Sequence, residues 1–186
     1  MQGTKGLLFG VALLVVLGLA GVAIGITQPA LHPSAAQPTL VPYLGNSPLT
    51  FSYPNTYTLT ERGDSFEGQP IRVLTFVNSG VSVPDESDGP PAISIIIVPN
   101  PKNVPLSQWV KEKSISDFSL SPDQTLSTTV LAGEPAVSYT HTGLYESKEV
   151  AAAHGGNIFL FSVGSGNPGD AIYADFQKIL NTVQFR

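Results

Sequence analysis

The sequence predicts an α+β domain, one antiparallel β-sheet flanked by helices, behind an N-terminal transmembrane helix. Three observations carry this. Residues 6–26 form an unbroken apolar run without a charged or polar side chain. Most of residues 44–186 consists of short stretches rich in β-branched and aromatic residues, separated by Gly, Pro and Asn turns. Two segments there instead carry apolar residues at helical spacing. Short antiparallel strands with helices laid on the sheet make an α+β domain.

The elements follow in chain order. Residues 1–5 read as a cytoplasmic N-terminus. As a helix rising about 1.5 Å per residue, segment 6–26 extends about 31 Å, close to the ~30 Å hydrocarbon core of a bilayer. A helix suits such a run because it satisfies every backbone N–H and C=O internally. Lys5 precedes the run and the next basic residue is Arg62. The positive-inside bias therefore places the N-terminus in the cytoplasm and the domain outside the cell membrane. A cleaved signal peptide is the alternative, with Ser34-Ala35-Ala36 as its cleavage site, Ala23-Ile24-Gly25 as a weaker one, and secretion as its outcome. The run is longer than the usual signal core, which favours a retained anchor. Gly6 and Gly10, like Gly21 and Gly25, fit the G-x-x-x-G pairing pattern. A Gly-rich apolar segment produces that spacing by chance.

Residues 27–43 hold Pro29, Pro33, Pro38 and Pro42 and no charge, so they read as an extended tether. The domain is expected to begin at Leu44. Leu49-Thr50-Phe51-Ser52-Tyr53 alternates like a half-buried strand, Pro54-Asn55 turns, and residues 57–60 and 71–77 are further strands. Residues 83–91 form an acidic, Pro-containing loop. Residues 92–98 are an almost continuous apolar strand, central and covered on both faces. Leu106, Trp109 and Val110 then repeat at helical spacing, with Lys111, Glu112 and Lys113 outward. Residues 126–131 and 134–140 are strands around a turn at Ala132-Gly133. Residues 147–154 and 157–163 are strands joined by Gly155-Gly156, a two-residue hairpin signal because both glycines accept φ > 0. In the last helix Asn167 is expected to cap, Pro168 to take the first position and Asp170 to favour the positive end. Ile172, Phe176, Ile179, Leu180 and Val183 form its apolar stripe.

Composition excludes several function classes. The chain has no cysteine, so disulfides, thiolate metal sites, a cysteine nucleophile and N-terminal cysteine lipidation are ruled out. Beyond Lys5 it carries eight basic and fourteen acidic residues, a net charge of −6. Such a surface repels phosphates, so nucleic acid is not expected as a partner.

Each candidate site has a plainer explanation. Gly164-Ser165-Gly166-Asn167-Pro168-Gly169 matches G-x-G-x-x-G between a strand and a helix. Its strand is half of a tight hairpin rather than the start of a parallel βαβ unit, so a loop and helix cap explain it. Asp85-Glu86-Ser87-Asp88-Gly89 resembles a cluster of calcium ligands but lacks EF-hand spacing, so a solvated acidic loop is expected, with weak calcium binding left open. His32 lies in the tether. His141 and His154 fall near opposite ends of one hairpin, too far apart for a shared metal ion, and are expected as surface or hydrogen-bonded strand residues. No G-x-S-x-G or H-E-x-x-H occurs. Phe51, Tyr53, Tyr57, Phe76, Trp109, Phe159, Phe161 and Phe176 read as core, with a partner surface at Trp109 as the alternative.

Four of these features together resemble the PsbP/Mog1-like family. They are Phe51-Ser52-Tyr53-Pro54, the apolar strand running through Pro into a helix over residues 93–109, the Gly133-Glu134-Pro135-Ala136 step, and a last helix running into a Phe-ended strand over residues 179–185. The similarity spans about residues 47–186. It implies an α/β/α sandwich built on an antiparallel sheet. It also implies non-catalytic work as a binding or assembly factor: thylakoid members assist photosystem II, and Mog1 binds a small GTPase. No motif for either partner is found in this chain. The family's lipoproteins use an N-terminal cysteine, which this chain replaces with an apolar segment.

Together these readings predict a membrane-tethered, extracytoplasmic binding or assembly-factor module and not an enzyme. Its partners are the membrane, through residues 6–26, and a protein of unknown identity. No catalytic, cofactor or metal residues are assigned. The alternative is an extracytoplasmic hydrolase with a carboxylate or serine site, which needs a deep pocket, convergent polar groups and perturbed carboxylates. A passive cell-surface spacer is the third reading.

Overall fold

The computed structural model describes residues 38–80, 90–143, 145–165, 167 and 169–186. The apolar segment 6–26, His32, most of the tether and the acidic loop carrying Asp85, Glu86 and Asp88 lie outside the described residues. No helix among those described is long and apolar enough to cross a membrane.

The N-terminal part of the domain contributes six strands: β1 (Leu40–Pro42), β2 (Leu49–Thr50), β3 (Ser52–Pro54), β4 (Tyr57–Phe66), β5 (Gln69–Asn78) and β6 (Ala92–Pro99). Helix α1 (Leu106–Glu112) and two single 3₁₀ turns, Ser114–Ser116 and Phe118–Leu120, follow. Next come β7 (Ser127–Leu131), β8 (Glu134–Thr142), β9 (Glu146–His154) and β10 (Asn157–Ser165). Helix α2 (Ala171–Leu180) and the short strand β11 (Gln184–Phe185) complete the order.

One antiparallel sheet dominates, with seven strands in the order β4-β5-β6-β10-β9-β8-β7. It consists of two meanders, β4 to β6 and β7 to β10, that meet where β6 pairs with β10. Three hairpins close on two-residue turns whose central residues all have positive φ: Glu67-Gly68, Ala132-Gly133 and Gly155-Gly156. That backbone matches the twist of the strands it joins.

Side-chain alternation divides the core in two. Leu74, Phe76, Ile93, Ile95, Phe159, Phe161 and Val163 point to one face, under Ile172, Phe176 and Ile179 of α2. Ile71, Val73, Val98, Ala151, Ile158 and Leu160 point to the other, under Trp109 and Val110 of α1 and Phe118. The central strands are thus buried on both sides, as their nearly continuous apolar sequences require. Trp109 is only 2% exposed, so it is a core residue and not a partner surface.

Five expectations change. The sheet layers take in Leu40–Pro42, which pairs with β3, and Tyr43 is buried against Phe51 at 4.7 Å between ring centroids. Those residues are extended, as their prolines require, but they belong to the domain and not to the tether. Proline is tolerated because this two-stranded pairing has open edges. The strand expected over residues 49–53 is split, with Leu49–Thr50 bound to β11 and Ser52–Pro54 bound to β1. Strand β4 runs on to Phe66, past the expected end at Thr60, because a sheet edge tolerates the polar stretch from Glu61 to Ser65. Six strands precede the first helix, not four. The last helix begins at Ala171 with Asp170 at the cap position, three residues beyond the expected start at Pro168. There the Asp170 carboxylate accepts from the Ser165 hydroxyl and from the Asn167 N–H at 3.3 Å.

Candidate functional site

The helical cover over the α1 face is incomplete, and polar side chains occupy the gap. In the central strands Ser94 interrupts the isoleucines of β6, Ser162 interrupts the apolar run of β10, and Glu149 precedes the alanines of β9. Register places them in one line across the sheet: Thr75 opposite Ser94, Ser94 opposite Ser162, Ser162 opposite Glu149, and Glu149 opposite Tyr139. His141 stands two residues beyond Tyr139, which makes it the diagonal cross-strand neighbour of Glu149.

The pair meets. His141 Nε2 lies 3.2 Å from Glu149 Oε1, and both residues are buried, at 7% and 5% exposure. Together with Ser94, Ser162, Ser147 and Asp117 they line a cavity of about 410 Å³. Its apolar wall is Ile96, Ile115, Leu120 and Leu160. Asp117 stands on the connection between the two 3₁₀ turns, in a left-handed conformation with φ 52°. The Tyr139 hydroxyl donates to the Ser116 carbonyl at 2.6 Å and fastens that connection to the sheet.

Burial and pairing set the proton affinities. The hydrogen bond to Glu149 raises the His141 pKa, against the opposite effect of burial. Burial raises the Glu149 pKa, partly offset by hydrogen bonds from His141 and Ser162. The pair therefore holds its proton to a higher pH than the isolated groups would. Tyr139 is also raised, chiefly by burial and then by Glu149.

The order of the groups limits the chemistry. In a hydrolytic triad the histidine stands between carboxylate and nucleophile. Here the carboxylate stands between His141 and Ser162, so the imidazole does not activate that hydroxyl. His141 Nδ1 is buried and has no partner among the described residues. The described residues contain no group of three His, Asp or Glu side chains placed to hold a metal ion.

The other histidine goes elsewhere. His154 Nδ1 lies 2.8 Å from Glu134 Oε1, at the opposite end of the β8–β9 ladder, and the ring stacks on Phe185 at 5.1 Å. Both histidines are thus hydrogen-bonded strand residues, as the sequence leads one to expect. Sequence reasoning missed Glu149 and the serine row. The available signal was a polar residue at an inward position of each central strand.

The fold is a PsbP-like antiparallel sheet with two helices. The solution structure of cyanobacterial PsbP (CyanoP) from Synechocystis sp. PCC 6803 matches it with a TM-score of 0.55 and 12% identity, over 84% of this chain and 99% of that one. A crystal structure from Bacteroides thetaiotaomicron VPI-5482 gives a TM-score of 0.48 and 16% identity over 75% of this chain. The match spans 45% of that longer protein. No protein-family model and no curated protein matches the chain.

Proposed function

We propose that the protein is a membrane-tethered, extracytoplasmic binding or assembly-factor module. The observation that carries the binding role is the open polar cavity over Glu149 and His141, whose order of groups leaves Ser162 unactivated. The likeness to cyanobacterial PsbP supports the fold on which this reading stands. The tether and location rest on the apolar run 6–26 and on Lys5 before it.

Crosslinking in intact cells, followed by mass spectrometry, tests the role. One reproducible protein partner, lost on deletion of residues 38–186, is the expected result. Recovery of no partner, with turnover of some substrate, would overturn it. The second reading, an extracytoplasmic hydrolase, is favoured by one observation: a buried carboxylate with raised proton affinity faces the same cavity. Hydrolysis of ester or glycoside substrates that disappears in Glu149→Gln would establish that reading instead.

A further inference from the structure

The cavity over Glu149 and His141 also constrains its guest. Its described lining includes two acidic residues, Asp117 and Glu149, and no Lys or Arg. An anionic guest would meet only like charge. Ile96, Ile115, Leu120 and Leu160 give it an aliphatic wall beside the polar floor. His141 is more than nine-tenths buried, its Nε2 is committed to Glu149, and its Nδ1 has no partner among the described residues.

We propose that this cavity binds an organic cation of the alkylammonium class, its aliphatic stem on the Ile96–Leu160 side and its ammonium directed to Glu149 and Asp117. The ammonium supplies donors and positive charge to a lining whose two carboxylates, Asp117 and Glu149, are acceptors. The stem suits the apolar wall. The same chemistry comes from a free amine or from the lysine side chain of a protein partner.

Binding is coupled to a proton. The titratable groups around His141 are Glu149 from β9, Asp117 from the connection above it, Tyr139 on its own strand and Tyr145 in the cavity lining. A protonated His141 in the cavity lining repels the ammonium. The guest therefore binds with release of the imidazole proton to solvent, and acid weakens binding.

Calorimetric titration of the full chain in detergent tests this. The probes are n-butylammonium, Nα-acetyl-lysine methylamide and, as uncharged control, n-butanol. Runs in two buffers of different ionisation heat count the protons. The expected result is saturable amine binding with proton release, no binding of butanol, and about a tenfold loss in Asp117→Asn. That variant keeps the fold, because Asp117 is exposed and Asn accepts its left-handed backbone. Preference for the lysine derivative identifies a partner side chain as the guest, and preference for butylammonium identifies a free amine. Binding of neither amine, equal binding of butanol, or amine binding unchanged in both Asp117→Asn and Glu149→Gln would overturn the proposal. It rests on the domain being a binding module. Partner crosslinks that persist while neither amine binds would overturn the cavity's assignment alone.

Discussion

Glu149 and His141 share a hydrogen bond in the interior, and both bind protons more tightly in the folded chain than in the unfolded one. The stabilisation from His141 is complete below its ordinary value of 6.5 and fades as pH rises through its higher folded value. The burial cost of Glu149 grows as pH rises above the ordinary carboxyl value of 4.5. Both slopes have the same sign, so stability falls as pH rises. Denaturant titrations at about pH 6 and about pH 9 are expected to show this fall in the wild type and a shallower one in the Glu149→Gln/His141→Gln double variant. An equal fall in both proteins would remove the pair as its source. Glu149→Ala alone strips the buried histidine of its partner and is expected to cost about 3–5 kcal/mol. Ala132 gives the opposite case. It holds φ 51° in the β7–β8 turn, where a Cβ is disfavoured. Ala132→Asn creates an Asn-Gly turn and is expected to raise stability by about 1 kcal/mol, read as a shifted denaturation midpoint.

At the scale of elements, the N-terminal layer is the most informative. Strand β1 is only three residues long, yet Tyr43 directly after it stacks on Phe51, and its hydroxyl donates to Glu61 at 2.7 Å. Burial and that acceptor push the Tyr43 pKa up to about 12. A protein starting at residue 44 loses this strand and this ring. It is expected to be less stable by about 3–5 kcal/mol than one starting at residue 38, measured by thermal or denaturant unfolding. Equal stability would return residues 40–43 to the tether. Helix α2 is held at its middle and just past its C-terminal end. The Tyr57 hydroxyl donates to Asp175 at 3.0 Å, and the Ser52 N–H donates to the Thr182 hydroxyl at 2.9 Å. Phe176 is fully buried beneath α2, so Phe176→Ala is expected to cost about 3–5 kcal/mol.

At the scale of the molecule, the membrane reading makes its own prediction. Alkaline extraction should leave the full chain in the membrane fraction, whereas a chain lacking residues 6–26 should be recovered in the cytosol. Protease added to intact spheroplasts should remove the domain. Release of the full chain by alkali would argue against a retained anchor. Much of the fold was legible because its signals are local. Gly155-Gly156 announces a hairpin by what glycine permits, and residues 92–98 announce a doubly covered strand by their unbroken apolarity. What escaped depends on pairing between distant residues. Leu49 and Phe185 lie opposite each other across β2 and β11, and neither short segment reveals its partner. The site escaped for the same reason. Glu149 reads as one scattered acid until register brings Ser94, Ser162 and His141 around it.

The pairing of β1 with β3 has a mechanical meaning. The chain toward residue 1 leaves the domain from the short ladder Leu40↔Pro54, Val41↔Tyr53, Pro42↔Ser52. Tension along that chain reaches these antiparallel bonds one at a time and opens them in succession, as a zipper opens. The three-pair ladder and the Tyr43 socket offer fewer bonds to such a pull than the seven-stranded sheet, so they give way first. Under pull the domain therefore first pays out a few residues of slack, with the cavity on its opposite face undisturbed.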